Sequence, residues 1–230
     1  LLFTLIYNGL IGYMPNIEEL KNPTDKFATV VYSADGQEMG RFFKNTGNRV
    51  YADYDEISEH VVNALIATED VRYMEHSGID FYALARVIFK TVLMQDRSSG
   101  GGSTITQQLA KQLYSPNSHG LMNRAMQKPI EWMIAVKLER FYTKEEIIAM
   151  YLNTVGYGSN AYGIKSAAST FFGKAPSELN IQEAAMLVGV VNAPTRYSPV
   201  RNPESALARR NLVMNRMRAA GALSRQMCDS

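Results

Sequence analysis

Cysteine occurs once in 230 residues, at Cys228, which excludes an intrachain disulfide and a cysteine-based metal site. Histidine occurs three times and no HExxH-type spacing is present, so no metal ligand set is expected. A dominant charge is missing too. The 24 Lys and Arg residues against 22 Asp and Glu leave a net charge of +2, without the concentrated basic excess of a nucleic-acid surface, so no nucleic-acid partner is expected. Long uninterrupted hydrophobic runs are also scarce. Residues 1–14, "LLFTLIYNGLIGYM", are apolar except for Thr4, Asn8 and two glycines, and fall short of the roughly 20 residues that span a bilayer. They lack the basic leader and cleavage site of a signal peptide. We read them as the end of a transmembrane helix, the alternative being a buried N-terminal helix.

What is present is ordinary core material: 46% of residues are apolar and 20% charged, enough for a substantial interior. Residues 15–54 read as a polar connector followed by "FATVVYSADGQEMGRFF", two β-prone runs around Asp35-Gly36, which predict a hairpin. From residue 55 the pattern is helical. Ser58 is placed to cap a helix carrying Val61, Val62, Leu65 and Ile66, and residues 80–94 form a second apolar helix. Capping boxes at Thr104/Gln107, Thr143/Glu146 and Asn180/Glu183 mark further helix starts, and Asn202-Pro203 opens the last one. Gly173 and Gly189 are placed to stop helices or loosen their ends. No repeat or second composition regime interrupts residues 55–230, so one mainly α-helical domain is expected there.

Three stretches carry chemistry. On a helix from Ser58, positions 62, 65, 66 and 69 share a face, so Glu69 continues an apolar stripe. A carboxylate on such a face is desolvated and a stronger proton acceptor when ionised. An acid at a helix end is more often a cap or an ion-pair partner; adjacent Asp70 and nearby His76 favour function, although His76 alone reads as a structural histidine beside Gly78. In "SSGGGSTITQQLAKQLY", residues 98–114, three glycines run into a helix capped by Ser103 or Thr104. Ile105, Leu109 and Leu113 give its buried seam, while Thr104, Gln108 and Lys111 line the other face. A glycine-led helix start followed by a lysine suits a phosphate or pyrophosphate, without being a Walker A loop; a linker before an ordinary amphipathic helix gives the same pattern. Finally, Arg124, Lys128 and Glu131 share one helical face, and Glu131 adjoins Trp132 and a long apolar run that fits partial burial. Lys128-Pro129 predicts a helix start or kink.

Taken in order, these stretches resemble the motifs of the peptidoglycan glycosyltransferases of glycosyltransferase family 51, the transglycosylase domain of class A penicillin-binding proteins. The family's EDxxFxxHxG stands here as "EDVRYMEHSG", with Tyr73 for Phe; GGSTITQQ with its following lysine is intact as "GGSTITQQLAK"; and RKxxExxxAxxLE appears as "QKPIEWMIAVKLE", with Gln127 for the first Arg. Two later motifs resemble "KEEIIAMYLNTVGYG" with "AYGIKSAASTFFGK", and "LNIQEAAMLVGVVNAPTRYSPVRNP". Similarity runs from about Phe27 to near residue 220.

The resemblance implies a mainly α, lysozyme-like helical head with a smaller membrane-proximal jaw and the short N-terminal β-hairpin. It implies an enzyme that polymerises lipid II into β-1,4-linked glycan strands, with inversion and release of undecaprenyl pyrophosphate. Glu69 would be the general base and Glu131 the second acid. Substrate binding would fall to Asp70, Tyr73, His76, Ser103, Thr104, Gln107, Gln108, Lys111, Arg124 and Lys128, with Lys111 neutralising the leaving group and Arg124 standing in for the missing Arg at Gln127. The implied partners are lipid II, the growing lipid-linked glycan, the bilayer, other cell-wall synthesis proteins, and the inhibitor moenomycin. No cofactor is evident, and a divalent cation assisting the pyrophosphate is compatible with the scheme. With residues 1–14 as an anchor, the chain is expected to be a single-pass protein of the bacterial cytoplasmic membrane, its catalytic domain on the extracytoplasmic side. The competing readings are a lysozyme-like, peptidoglycan-cleaving enzyme and a non-catalytic lipid-binding cell-wall scaffold. A hydrolase would use a carboxyl acid toward a neutral leaving oxygen, and the Thr104, Gln108 and Lys111 face fits a diphosphate better.

Overall fold

The structure is a computed structural model that describes residues 2–10, 14–21, 29–34, 38–42, 50–93, 102–114 and 121–223. In chain order it runs α1 (Leu2–Tyr7), α2 (Ile17–Lys21), β1 (Thr29–Tyr32), β2 (Glu38–Phe42), α3 (Glu59–Glu69), α4 (Phe81–Leu93), α5 (Ile105–Tyr114), α6 (Leu121–Phe141), α7 (Lys144–Thr154), β3 (Gly156–Gly158), β4 (Ala161–Tyr162), α8 (Ile164–Phe172), α9 (Ile181–Val191) and α10 (Pro203–Ala219). The protein is therefore mainly α-helical with a short antiparallel hairpin near its N-terminus. The chain divides into two compact units, Leu1–Pro23 with Glu69–Ile147, and Thr24–Thr68 with Ile148–Ser230. Helices α3 and α7 each carry the chain across the division.

The N-terminal apolar stretch does not make a long helix. Helix α1 has 6 residues and gives way to a turn in which Gly9 takes a φ of +72°. Among the described residues no helix is long and apolar enough to cross a membrane, and this overturns the expected single-pass topology. The physical reason is local: Gly9 adopts a left-handed conformation that ends a helix, and Ile6 is fully buried inside the first unit, where α1 packs on α6.

In that unit α5 lies along α6, and the expected seam of Ile105, Leu109 and Leu113 is buried, as are Ile134, Ala135 and Leu138 of α6. Tyr142 and Tyr114 donate from their hydroxyls to the carbonyls of Leu20 and Glu19, at 2.6 and 3.1 Å, and so tie α2 down. Pro129 sits inside α6 and not at its start; the helix runs through it from Leu121. The Thr143/Glu146 box closes reciprocally at the head of α7.

In the second unit β1 pairs antiparallel with β2, Thr29 opposite Phe42; the expected Asp35-Gly36 turn falls outside the described residues. A second, smaller hairpin, β3–β4, turns through Ser159 and Asn160 at φ of 50° and 60°. Ser58 caps α3 by accepting from the His60 N–H and donating to the Leu179 carbonyl. Gly173 ends α8 in a left-handed conformation. Gly189, by contrast, lies within α9, where α10 packs so closely that an added Cβ would sit 3.0 Å from Arg209 Cγ.

Candidate active site

All the described candidate residues fall in the first unit. Glu69 is the last residue of α3, half-buried, and it follows buried Val62 and Leu65 along the stripe. From α5 the Gln108 side-chain amide donates to Glu69 Oε2 at 2.9 Å, fixing the carboxylate's direction without neutralising it.

The next residues form the socket into which α5 is set. Buried Asp70 accepts from His76 Nε2 at 3.0 and 3.1 Å and from the Ile105 N–H at 3.1 Å, so its carboxylate caps the first turn of α5, where negative charge is favoured. The His76 ring meets Tyr73 edge-on, with centroids 6.1 Å apart. Tyr73 is fully buried and its hydroxyl donates to the Lys144 carbonyl at 2.9 Å. The Gly78 carbonyl accepts from Thr104 Oγ1 at 2.8 Å and from Gln107 Nε2 at 3.0 Å. Gly78 itself has a φ of +89° and lies against the backbone of Ala135, which only glycine allows.

These contacts redistribute the expected roles. Thr104 caps α5 by accepting from the Gln107 N–H, but Gln107 reaches to Gly78 and not back to its own cap, so one arm of the capping box is used elsewhere. Thr104 and Gln107 are both buried, which leaves half-buried Gln108 and exposed Lys111 as the open part of the face. Nor is the helix start an empty anion cradle: the N–H groups of Ile105, Gln107 and Gln108 are taken by Asp70 and Thr104. The open positive charge on this face is the side chain of exposed Lys111.

On α6, Glu131 is wholly buried yet fully engaged. Lys128 Nζ donates to its Oε2 at 2.7 Å and Gln127 Nε2 to its Oε1 at 3.0 Å. Gln127 thus still supplies a donor where the family motif has Arg. Lys128 also donates to Ser103 Oγ at 3.2 Å, joining α6 to the glycine-led segment. Leaving a buried carboxylate unpaired is costly, so these three groups act as a unit. Arg124 lies one turn earlier on α6; its side chain is outside the described residues.

A further set went unnoticed in the sequence. The buried Glu139 carboxylate accepts from Thr106 Oγ1 at 2.6 Å and pairs with Lys144 Nζ at 2.8 Å. Lys144 also donates to the His76 carbonyl at 2.7 Å and lies 4.2 Å from the centre of the Tyr73 ring. The signals were there, since Glu139 ends one quoted motif and Lys144 begins the next. A lysine beside a helix cap, however, reads as solvated. Among the described residues Asp70, His76 and Asp80 offer ligand atoms within 4.8 Å of one another. They fit a cation poorly: Asp70 is committed as above, and Asp80 caps α4 through the Ala83 N–H and has Arg72 at 3.5 Å.

The transglycosylase family profile matches residues 35–218. The chain is 40% identical over 211 residues to penicillin-binding protein 1A of Aquifex aeolicus, covering 92% of this chain and 28% of that protein. It is 34% identical over 224 residues to penicillin-binding protein 1A of Escherichia coli, covering 97% and 26%. With penicillin-binding protein 1A/1B of Bacillus subtilis the identity is 36% over 216 residues, covering 94% and 23%. The chain therefore belongs to the transglycosylase family, glycosyltransferase family 51. Its kinship within that family is to the transglycosylase domain of class A penicillin-binding proteins, and it spans about a quarter of the length of these relatives.

Proposed function

We propose that the chain is a peptidoglycan glycosyltransferase that polymerises lipid II into β-1,4-linked glycan strands, with inversion and release of undecaprenyl pyrophosphate. Glu69 takes the proton of the acceptor's 4-hydroxyl as that oxygen attacks the anomeric carbon of the lipid-linked donor. The anomeric carbon–oxygen bond breaks on the opposite side, and the pyrophosphate leaves with the electron pair. The observation that carries this reading is the Glu69 carboxylate, held at the end of an apolar helix face by Gln108. Exposed Lys111, and Lys128 beside Ser103, supply the charge that makes a separate acid unnecessary. Glu131 keeps Lys128 in place. Asp70, Tyr73, His76, Thr104 and Gln107 serve the substrate by building the socket around α5.

Contact with a bilayer is supported by α4 and the turn before it. Phe81, Tyr82 and Phe89 are exposed on α4, with Val71 and Met74 exposed nearby in sequence, a character suited to lipid-linked substrates at a membrane surface.

The test is incubation with labelled lipid II in detergent and separation of the products on a gel, with and without moenomycin. A moenomycin-sensitive ladder is expected. Glu69→Gln should reduce its formation by at least about 100-fold, the scale of general base catalysis, while moenomycin binding persists. Polymerisation by Glu69→Gln near the wild-type level would remove Glu69 from the role of base. Fragments released from preformed glycan, with no polymer from lipid II, would indicate cleavage instead.

A further inference from the structure

We propose that Lys144, with Glu139, is a positioning residue of the glycosyl-transfer site, an inference that rests on the function proposed above. Neither is among the residues assigned to the substrate, and yet they form the charged pair that joins four separate parts of the first unit. Glu139 lies on α6 and holds Thr106 of α5. Lys144, at the start of α7, holds the carbonyl of His76, whose ring bonds Asp70, and Asp70 in turn caps α5 through Ile105. Lys144 also covers the Tyr73 ring and accepts that residue's hydroxyl with its own carbonyl. The pair therefore clamps the turn of residues 70–78 to α5. Gln108, one turn into α5, is what aims Glu69. The Glu139 side chain is buried and that of Lys144 largely so, at 5% and 22% exposed.

A buried ion pair used in this way contributes geometry more than stability, because its mutual attraction is spent against desolvation. Loosening it should shift Gln108 against the Glu69 carboxylate by a fraction of an ångström, which a reaction that depends on orientation feels in the chemical step. Substrate affinity, spread over side chains of several elements, should change little.

The experiment compares Lys144→Met with wild type and with Lys165→Met, which breaks the half-exposed Lys165–Glu56 pair in the second unit. Lipid II polymerisation gives kcat and KM, and amide hydrogen exchange gives local opening. Lys144→Met should lower kcat about 10- to 100-fold with KM within about twofold. Exchange at the Ile105 and Tyr73 amides should rise about tenfold, with no change at Ala184 in α9. Lys165→Met should match wild type in every respect. Should Lys144→Met fail to fold, Glu139→Gln, which keeps an acceptor for Thr106, is expected to show the same pattern. Wild-type kcat in either folded variant overturns the proposal, as does exchange rising equally in α9, since that is general loss of stability. Wild-type protein that makes no polymer refutes the glycosyl-transfer reading instead, and exchange at Ile105 still decides whether the clamp exists.

Discussion

A Cβ added at Gly78 would sit 2.9 Å from the Ala135 carbonyl carbon and oxygen, at a φ of +89°. Gly78→Ala should therefore destabilise the protein by more than about 2 kcal/mol in denaturant unfolding, since both the backbone conformation and the close approach oppose it. An unchanged unfolding midpoint would show that α6 can retreat. The need for glycine here was not legible, because the sequence gives no hint that position 78 abuts the backbone of α6. The place of Glu69 was legible, since helical spacing puts it on the apolar stripe, whereas its role was suggested only by the family motif. The partners of Asp70 were not: Ile105 lies 35 positions away, and no local pattern connects them. Glu131 falls between these cases. Its burial could be read from its neighbours, while its double engagement by Gln127 and Lys128 depends on rotamers.

Helix starts were the most readable elements, because capping is local chemistry. At α9 the Asn180 side chain accepts from the Glu183 N–H, and Glu183 Oε2 accepts from the Asn180 N–H, each at 2.9 Å. Asn180→Ala should cost about 1 kcal/mol. Burial pushes the Glu183 carboxyl up, but the Lys174 hydrogen bond and the Asn180 N–H outweigh it and hold the pKa below the ordinary carboxylate value. A depressed folded-state pKa means stability that is complete above the unfolded value and lost as pH falls through the folded one. Glu183→Gln should accordingly be less stable than wild type at neutral pH, and unfolding curves should converge on acidification. Curves that stay parallel down to the lowest pH would disprove the linkage. The Thr104/Gln107 box shows the limit of such reading, since the same spacing serves whether Gln107 turns back to its own cap or outward to Gly78. The β3–β4 hairpin was missed because Ser159-Asn160 lacks the glycine that usually betrays left-handed turn residues.

At the scale of the molecule, the described site residues occupy one of two units, and the exposed aromatic residues of α4 belong to that same unit. If they meet a bilayer, Phe81→Ser with Phe89→Ser should weaken cosedimentation with phospholipid vesicles at least several-fold, since each substitution removes exposed apolar area available for insertion. Unaltered sedimentation would assign α4 another role. The fold class was legible from periodicity, whereas the division into units was not, because each unit is assembled from two distant segments. That assembly also constrains how the protein forms. The bonds from Thr104 to Gly78 and from Ile105 to Asp70 close loops of 26 and 35 positions. Such closures carry an entropy cost before any contact rewards them, so they follow the formation of the local helices they join. A chain emerging during synthesis can complete α3 early, but its terminal glutamate stays unaimed until α5 has been made and docked. Kinetic trapping before that step would yield a protein with native helix content and no activity.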